Sequence, residues 1–141
     1  MKKRKTNSDY TDMTASIKAN DRFGMLYDSM VRSEQYQALS IGAKQFFTCC
    51  RIQANSKHGK ACLYNHGLED GSTYTDHDFV FPATHMAKYG YDRSNGHKYL
   101  DELIIAGFID RKENNKHRKK VNVYTFSERW KTMKPQNGKT I

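Results

Sequence analysis

Long apolar runs are missing from this chain. Nowhere do about twenty apolar residues follow one another, so no helix able to cross a bilayer is expected. The charged start, Lys2-Lys3-Arg4-Lys5, is followed by no apolar stretch either, so no secretory signal is expected. Cysteine is scarce. Cys49, Cys50 and Cys62 make an odd count with two adjacent, and neighbouring cysteines do not readily bridge, so no disulfide framework is expected. A reducing cytoplasm is the expected location.

The signatures of catalysis are also missing: no P-loop, no HExxH and no GxSxG occurs. The adjacent acids Glu69-Asp70 and Asp101-Glu102 stand beside no evident nucleophile or metal ligand, and both pairs are read as solvated surface. His58, Cys62 and His66 recur every four residues and are of the types that bind zinc. The intervening loop is not a CxxC knuckle, however, and Gly59 and Asn65 argue against a helix that would align the three. The chain is therefore read as a non-enzyme with no catalytic residue, no metal and no cofactor.

What is abundant is positive charge. The net charge is +9 and the pI about 9.5, which points to an anionic partner. Only 37% of residues are hydrophobic, but 12% are aromatic, and each buried ring removes a large area from water. One compact domain over residues 22–132 is expected, between a basic arm (1–21) and a polar tail (133–141). The arm, with Lys2, Lys3, Arg4 and Lys5, is read as solvated on its own and able to follow phosphates or enter a minor groove on DNA.

Residues 22–39 carry Phe23, Leu26, Tyr27, Met30, Tyr36 and Leu39 at partly helical spacing, interrupted near Ser33. A short helix or irregular packing segment is expected there, against the main domain or a second protomer. Ser40 is placed to cap a helix through Ala54, with Ala43, Phe46 or Phe47, Cys50 and Ala54 inward and Lys44, Gln45 and Arg51 in water. Residues 55–78 form a long polar connection, with 61–64 extended and 67–74 a turn. Residues 78–81 have strand character.

The stretch 81–130 carries the functional reading. Pro82 suits the start of a short helix over 82–89, in which Met86 and Ala87 face inward. Gly90 is its left-handed stop and Asp92 the cap of the next helix, 93–106. Gly96, Leu100, Leu103 and Ile104 form the buried face of that helix. A glycine inside a helix costs about 1 kcal/mol relative to alanine, so Gly96 implies close approach of the preceding helix or, as the alternative, a helix left flexible before DNA binding. Gly107 ends the helix, Phe108 and Ile109 return to the core, and a strand over 108–113 meets a returning strand over 121–126. Ser127 to Trp130 reads as a capped terminal helix with Trp130 folded back. Helix, turn, helix and two-stranded hairpin, in this order, is the plan of a winged helix: an α+β, mainly helical fold with a two- to three-stranded antiparallel wing sheet.

On that plan Arg93, Ser94, Asn95, His97 and Lys98 face outward at the start of the recognition helix. This is the part that meets base edges in a major groove, where arginine pairs with guanine and asparagine with adenine. The hairpin holds Arg111, Lys112, Lys116, His117, Arg118, Lys119 and Lys120 around an Asn114-Asn115 turn. Crowded like charges repel one another in the free protein; laid along DNA they neutralise phosphates and release counterions.

The stretches FVFPATHMAKYGYDRSNGHKYLDELIIAGFID, VYTFSERWK and LSIGAKQFFTCCRIQAN, with the basic hairpin, resemble small winged-helix proteins of Gram-positive conjugative elements, plasmids and phages. The likeness covers roughly residues 23–131. It implies double-stranded DNA binding through the 93–106 helix and the wing, in a transcriptional regulator, a replication-initiation module or an accessory factor of DNA transfer. Replication or transfer proteins would then be partners, and a homodimer would match two half-sites. The rival class is a winged helix whose wing grips an acidic protein partner.

Overall fold

The computed structural model describes residues 23–56, 59–61, 74–75, 77–113 and 122–134. Among them it has α+β architecture, with five α-helices and one three-stranded antiparallel sheet. The helices are α1 (Asp28–Val31), α2 (Glu34–Gln37), α3 (Ile41–Asn55), α4 (Ala83–Lys88) and α5 (Arg93–Ile105). The strands are β1 (Asp78–Phe79), β2 (Ile109–Glu113) and β3 (Val123–Phe126). A 3₁₀ turn, Arg129–Thr132, closes the described chain.

The helix starts follow from side-chain caps that are legible in the sequence. Ser40 accepts from the Ala43 amide at 3.1 Å, Ser33 from Tyr36 at 3.1 Å, and Asp92 from Asn95 at 2.7 Å. Each satisfies an amide that lacks a partner within the first turn. Within 23–39 the chain thus forms two single turns separated at Ser33, and Met30, Tyr36 and Leu39 join the core of the main domain. Phe23, Leu26 and Tyr27 stay exposed. Gly90 and Gly107 both adopt φ of +88°, the left-handed stop that only glycine takes at little cost.

Strand β3 is central: β1 pairs with one edge (Asp78 with Thr125, Phe79 with Tyr124) and β2 with the other (Ile109 with Phe126, Arg111 with Tyr124). The ladder slips between Arg111 and Glu113, so Glu113 is buried, where it accepts from the Tyr74 hydroxyl at 2.6 Å. Lys60 adds an isolated bridge to Phe79. The returning strand begins at Val123, shorter than the 121–126 expected, and β1 covers only the first half of 78–81.

Aromatic contacts fill the space between helices and sheet. Phe46 stacks on Phe81 (5.2 Å, 17°), Phe79 on Phe126 (4.8 Å, 21°) and Phe108 on Trp130 (5.5 Å, 11°). Ala43, Cys50 and Ala54 are buried as the helical spacing predicted, and Phe46 and Phe47, of which it predicted one inside, are both buried. Four expectations are corrected. Ala87 is exposed, because a six-residue helix presents one side to the core and Met86 takes it. Arg51 is only partly in water, its guanidinium lying on the rings of Phe126 (4.4 Å) and Tyr27 (5.6 Å). The Trp130 segment is a 3₁₀ turn rather than an α-helix. Asp101 and Glu102 are not a merely solvated pair: Asp101 binds Arg111, and Glu102 accepts from both the amide and the hydroxyl of Ser40 at 2.8 Å.

No helix among the described residues is long and apolar enough to cross a membrane.

Candidate functional site

The orientation of α5 is set from its buried side. Gly96, Leu100 and Leu103 face the core, and a Cβ on Gly96 would overlap the sulfur of Met86, which is wholly buried in α4. The close approach implied by the glycine is therefore made by Met86. The other end of α5 is held by Arg129, which donates to the Ile104 carbonyl at 2.8 Å and pairs with Asp110 at 2.6 Å. An arginine on a terminal carbonyl satisfies a group that the helix leaves open.

With α5 fixed in this way, Arg93, Ser94, Asn95 and Lys98 are exposed and His97 is half-buried. A small groove of about 140 Å³ lies beside the start of the helix, walled by Arg93 and His97 on one side and by Asn122 and Tyr124 on the other, with Pro82 at its end. Arg111 links helix and sheet: it meets Asp101 at 3.2 Å and lies 5.9 Å from the centroid of the Tyr124 ring. Burial and the nearby positive charge of Arg93 and Arg111 hold the His97 imidazole below its ordinary pKa, against the opposing pull of Asp101. Burial is the larger cause, and the two arginines act with it.

The predicted site residues separate into groups. Arg93 and His97 line the groove and Arg111 lies near enough to act on His97, while Ser94, Asn95 and Lys98 share the exposed helix surface. The Asn95 amide is drawn toward Asp92 (3.3 Å), and the Lys98 ammonium lies 5.8 Å from the centroid of the Tyr99 ring. Lys112 does something else: its ammonium binds the buried Asp78 at 2.6 Å. Lys116, His117, Arg118, Lys119 and Lys120 lie outside the described residues, as do Lys2, Lys3, Arg4 and Lys5, Glu69-Asp70, and the His58, Cys62, His66 series. Sequence reasoning missed Asn122 and Tyr124 as groove walls. The register opposite Arg111 could have pointed to Tyr124, but only once strand pairing was known.

Among the described residues no cluster of His, Cys, Asp or Glu could hold a metal ion. Cys49 and Cys50 are free thiols. Burial raises both pKa values, that of Cys50 well above its ordinary value, although a Tyr91 hydrogen bond partly offsets the rise at Cys49. Neither thiol is poised as a nucleophile at neutral pH.

No protein-family model matches the chain, and no curated protein or solved structure is significantly similar to it.

Proposed function

We propose that this chain is a winged-helix protein that binds double-stranded DNA of a mobile genetic element, as a transcriptional regulator or an accessory factor of DNA transfer. In this reading α5 enters the major groove and the β2–β3 hairpin follows the backbone or the minor groove. The order helix, strand, helix, turn, helix, strand, strand, with β3 between its partners, supports it. So does the resemblance of the sequence to winged-helix proteins of such elements.

The observation that carries the proposal is the groove at the start of α5, where Arg93 and His97 stand beside Tyr124 of the hairpin, with Arg111 close to the Tyr124 ring. Base edges are read from the exposed start of a helix, and phosphates are held by cations flanking it. Arg93 and Asn95 are assigned to bases, and Ser94 to base or phosphate. His97, Lys98 and Arg111 are assigned to phosphate, together with the hairpin cations Lys116, His117, Arg118, Lys119 and Lys120 and the arm Lys2, Lys3, Arg4 and Lys5. Lys112 serves the fold first, through Asp78.

The test is selection of bound duplexes from a random pool, followed by affinity measurements across a salt series. Log affinity should fall steeply with log salt, and alanine at Lys116, Arg118, Lys119 and Lys120 should flatten the slope. Absence of duplex binding at low salt overturns the proposal.

A further inference from the structure

Away from the α5 groove, a second and larger hollow of about 540 Å³ opens where Tyr27 and Met30 of the α1 turn face α3, β3 and the closing 3₁₀ turn. Tyr27, Phe47, Phe108, Phe126 and Trp130 give it aromatic walls, and Ser29, His77 and Ser127 add polar groups. Small-molecule sites commonly enclose roughly 300–1,000 Å³, mostly apolar, with a few polar groups that fix the ligand's orientation. We infer that this hollow is a binding site for a small aromatic carboxylate, held by the Arg51 guanidinium.

Arg51 is prepared for that role. Its Nε donates to the Met25 carbonyl at 2.8 Å, and its guanidinium rests on Phe126 and Tyr27, so the plane of the fork is set before any ligand arrives. Among the described residues its two terminal nitrogens donate no hydrogen bond. A planar fork with free N–H groups matches a carboxylate in two-pronged fashion. The other charges at the rim leave this preference standing: Glu128, which also lines the hollow, is paired with Lys131 at 2.9 Å.

Ring faces favour a flat π-system offset or edge-on against them, which selects an aromatic body over an aliphatic chain. A single unpaired guanidinium fork, with Lys131 already paired to Glu128, suits a monoanion rather than a phosphate dianion, whose second charge would go uncompensated. The inference does not rest on the DNA-binding reading.

Trp130 is the only tryptophan of the chain and it lines the hollow, so its fluorescence and its indole N–H resonance report occupancy directly. Phenylacetate titrated into the full chain should shift both signals saturably, with a dissociation constant at or below about 1 mM, a strength within reach of so small a ligand. Phenylacetamide, on the unaltered protein, should bind at least tenfold more weakly, and Arg51→Gln should weaken phenylacetate to the same degree while near-ultraviolet circular dichroism stays native. No saturation at about ten times the expected constant overturns the site. Equal binding of phenylacetamide overturns the role of Arg51, and octanoate binding as tightly as phenylacetate overturns the aromatic assignment.

Discussion

The Lys112 ammonium lies 2.6 Å from the Asp78 carboxylate, joining the two outer strands of the sheet across the central one. Asp78 is fully buried and Lys112 is one-quarter exposed at its side chain. Burial alone would raise the Asp78 pKa. Hydrogen bonds from Lys112 and from the Thr75 amide, with the charge of Lys112 and the nearby Thr125 hydroxyl, outweigh it and hold the carboxyl below its ordinary value. A cation that sequence position assigns to the basic hairpin is thereby part of the fold.

Lys112→Met should destabilise the protein by about 2 kcal/mol in urea unfolding. That is less than the roughly 3–5 kcal/mol for breaking a fully buried pair, because water reaches the remaining group from the lysine side. The pH dependence has a definite sign. A depressed carboxyl pKa contributes stability above the unfolded value, near 3.9, and this is lost as pH falls through the lower folded value. The native protein should therefore lose this increment only below about pH 4, and the variant should show a smaller loss there. An unchanged acid limb in Lys112→Met would disprove the coupling.

Gly96→Ala should destabilise despite alanine's better helix propensity, by about 1–3 kcal/mol, because the new methyl overlaps the sulfur of the wholly buried Met86, which must shift within the core. The shorter Met86→Ala in the same chain should recover part of that loss. A double-mutant cycle from denaturation midpoints measures the coupling, and strictly additive effects would place the constraint elsewhere.

His97 should titrate below 6.5 in an NMR pH series, and Arg93→Ala should move its midpoint upward, since one of the charges opposing protonation is gone. Because the folded state disfavours the imidazolium, this residue takes stability away as pH falls through 6.5 toward its folded pKa. Bound phosphate would reverse the preference. Duplex affinity should thus rise as pH falls from about 7.5 to 6, with proton uptake, and His97→Gln should abolish that rise.

Asp101→Asn should strengthen duplex binding. The substitution releases Arg111 from its 3.2 Å ion pair and removes a negative charge from the α5 surface. Salt titration of affinity should show a slope steeper by about one phosphate contact. Stability should change by no more than about 1 kcal/mol, as both partners are substantially exposed. Weaker binding would mean that Asp101 instead positions Arg111 for contact.

Substituting Arg93 or Asn95 by alanine should relax sequence preference, by roughly 1–3 kcal/mol per lost base contact, with little effect on non-specific duplex. Binding curves against selected and scrambled duplexes distinguish the outcomes. A uniform loss on both would return these residues to the backbone-contact class.

The elements themselves were legible because their determinants are local. Ser40 and Asp92 cap the helices that follow them, Gly90 and Gly107 take the left-handed conformation, and the spacing of Ala43, Phe46, Phe47, Cys50 and Ala54 specifies the buried side of α3. Each acts within a turn or two of chain. Gly96 was legible as a close approach, though only the structure identifies Met86 as the neighbour.

Long-range polar partners lay beyond that reading. Gln53 has an unremarkable place in a helical period, yet it is buried and donates to the Val80 carbonyl at 3.0 Å, with His85 Nδ1 2.8 Å away. Glu102 ties the start of α3 to α5, Arg129 closes α5 onto β2, and Arg51 lies between Tyr27 and Phe126. The sequence by itself determined where the capped helices begin, where glycine ends them and which charges gather on the hairpin and on α5, because caps, left-handed glycines and apolar spacing act over a few residues. Strand ends depend on pairing and were not determined in this way. Only the tertiary structure decided which of those charges stay available. Ion pairs such as Lys112 with Asp78 and Arg111 with Asp101 join residues that become neighbours only when the sheet closes on β3 and packs against α5.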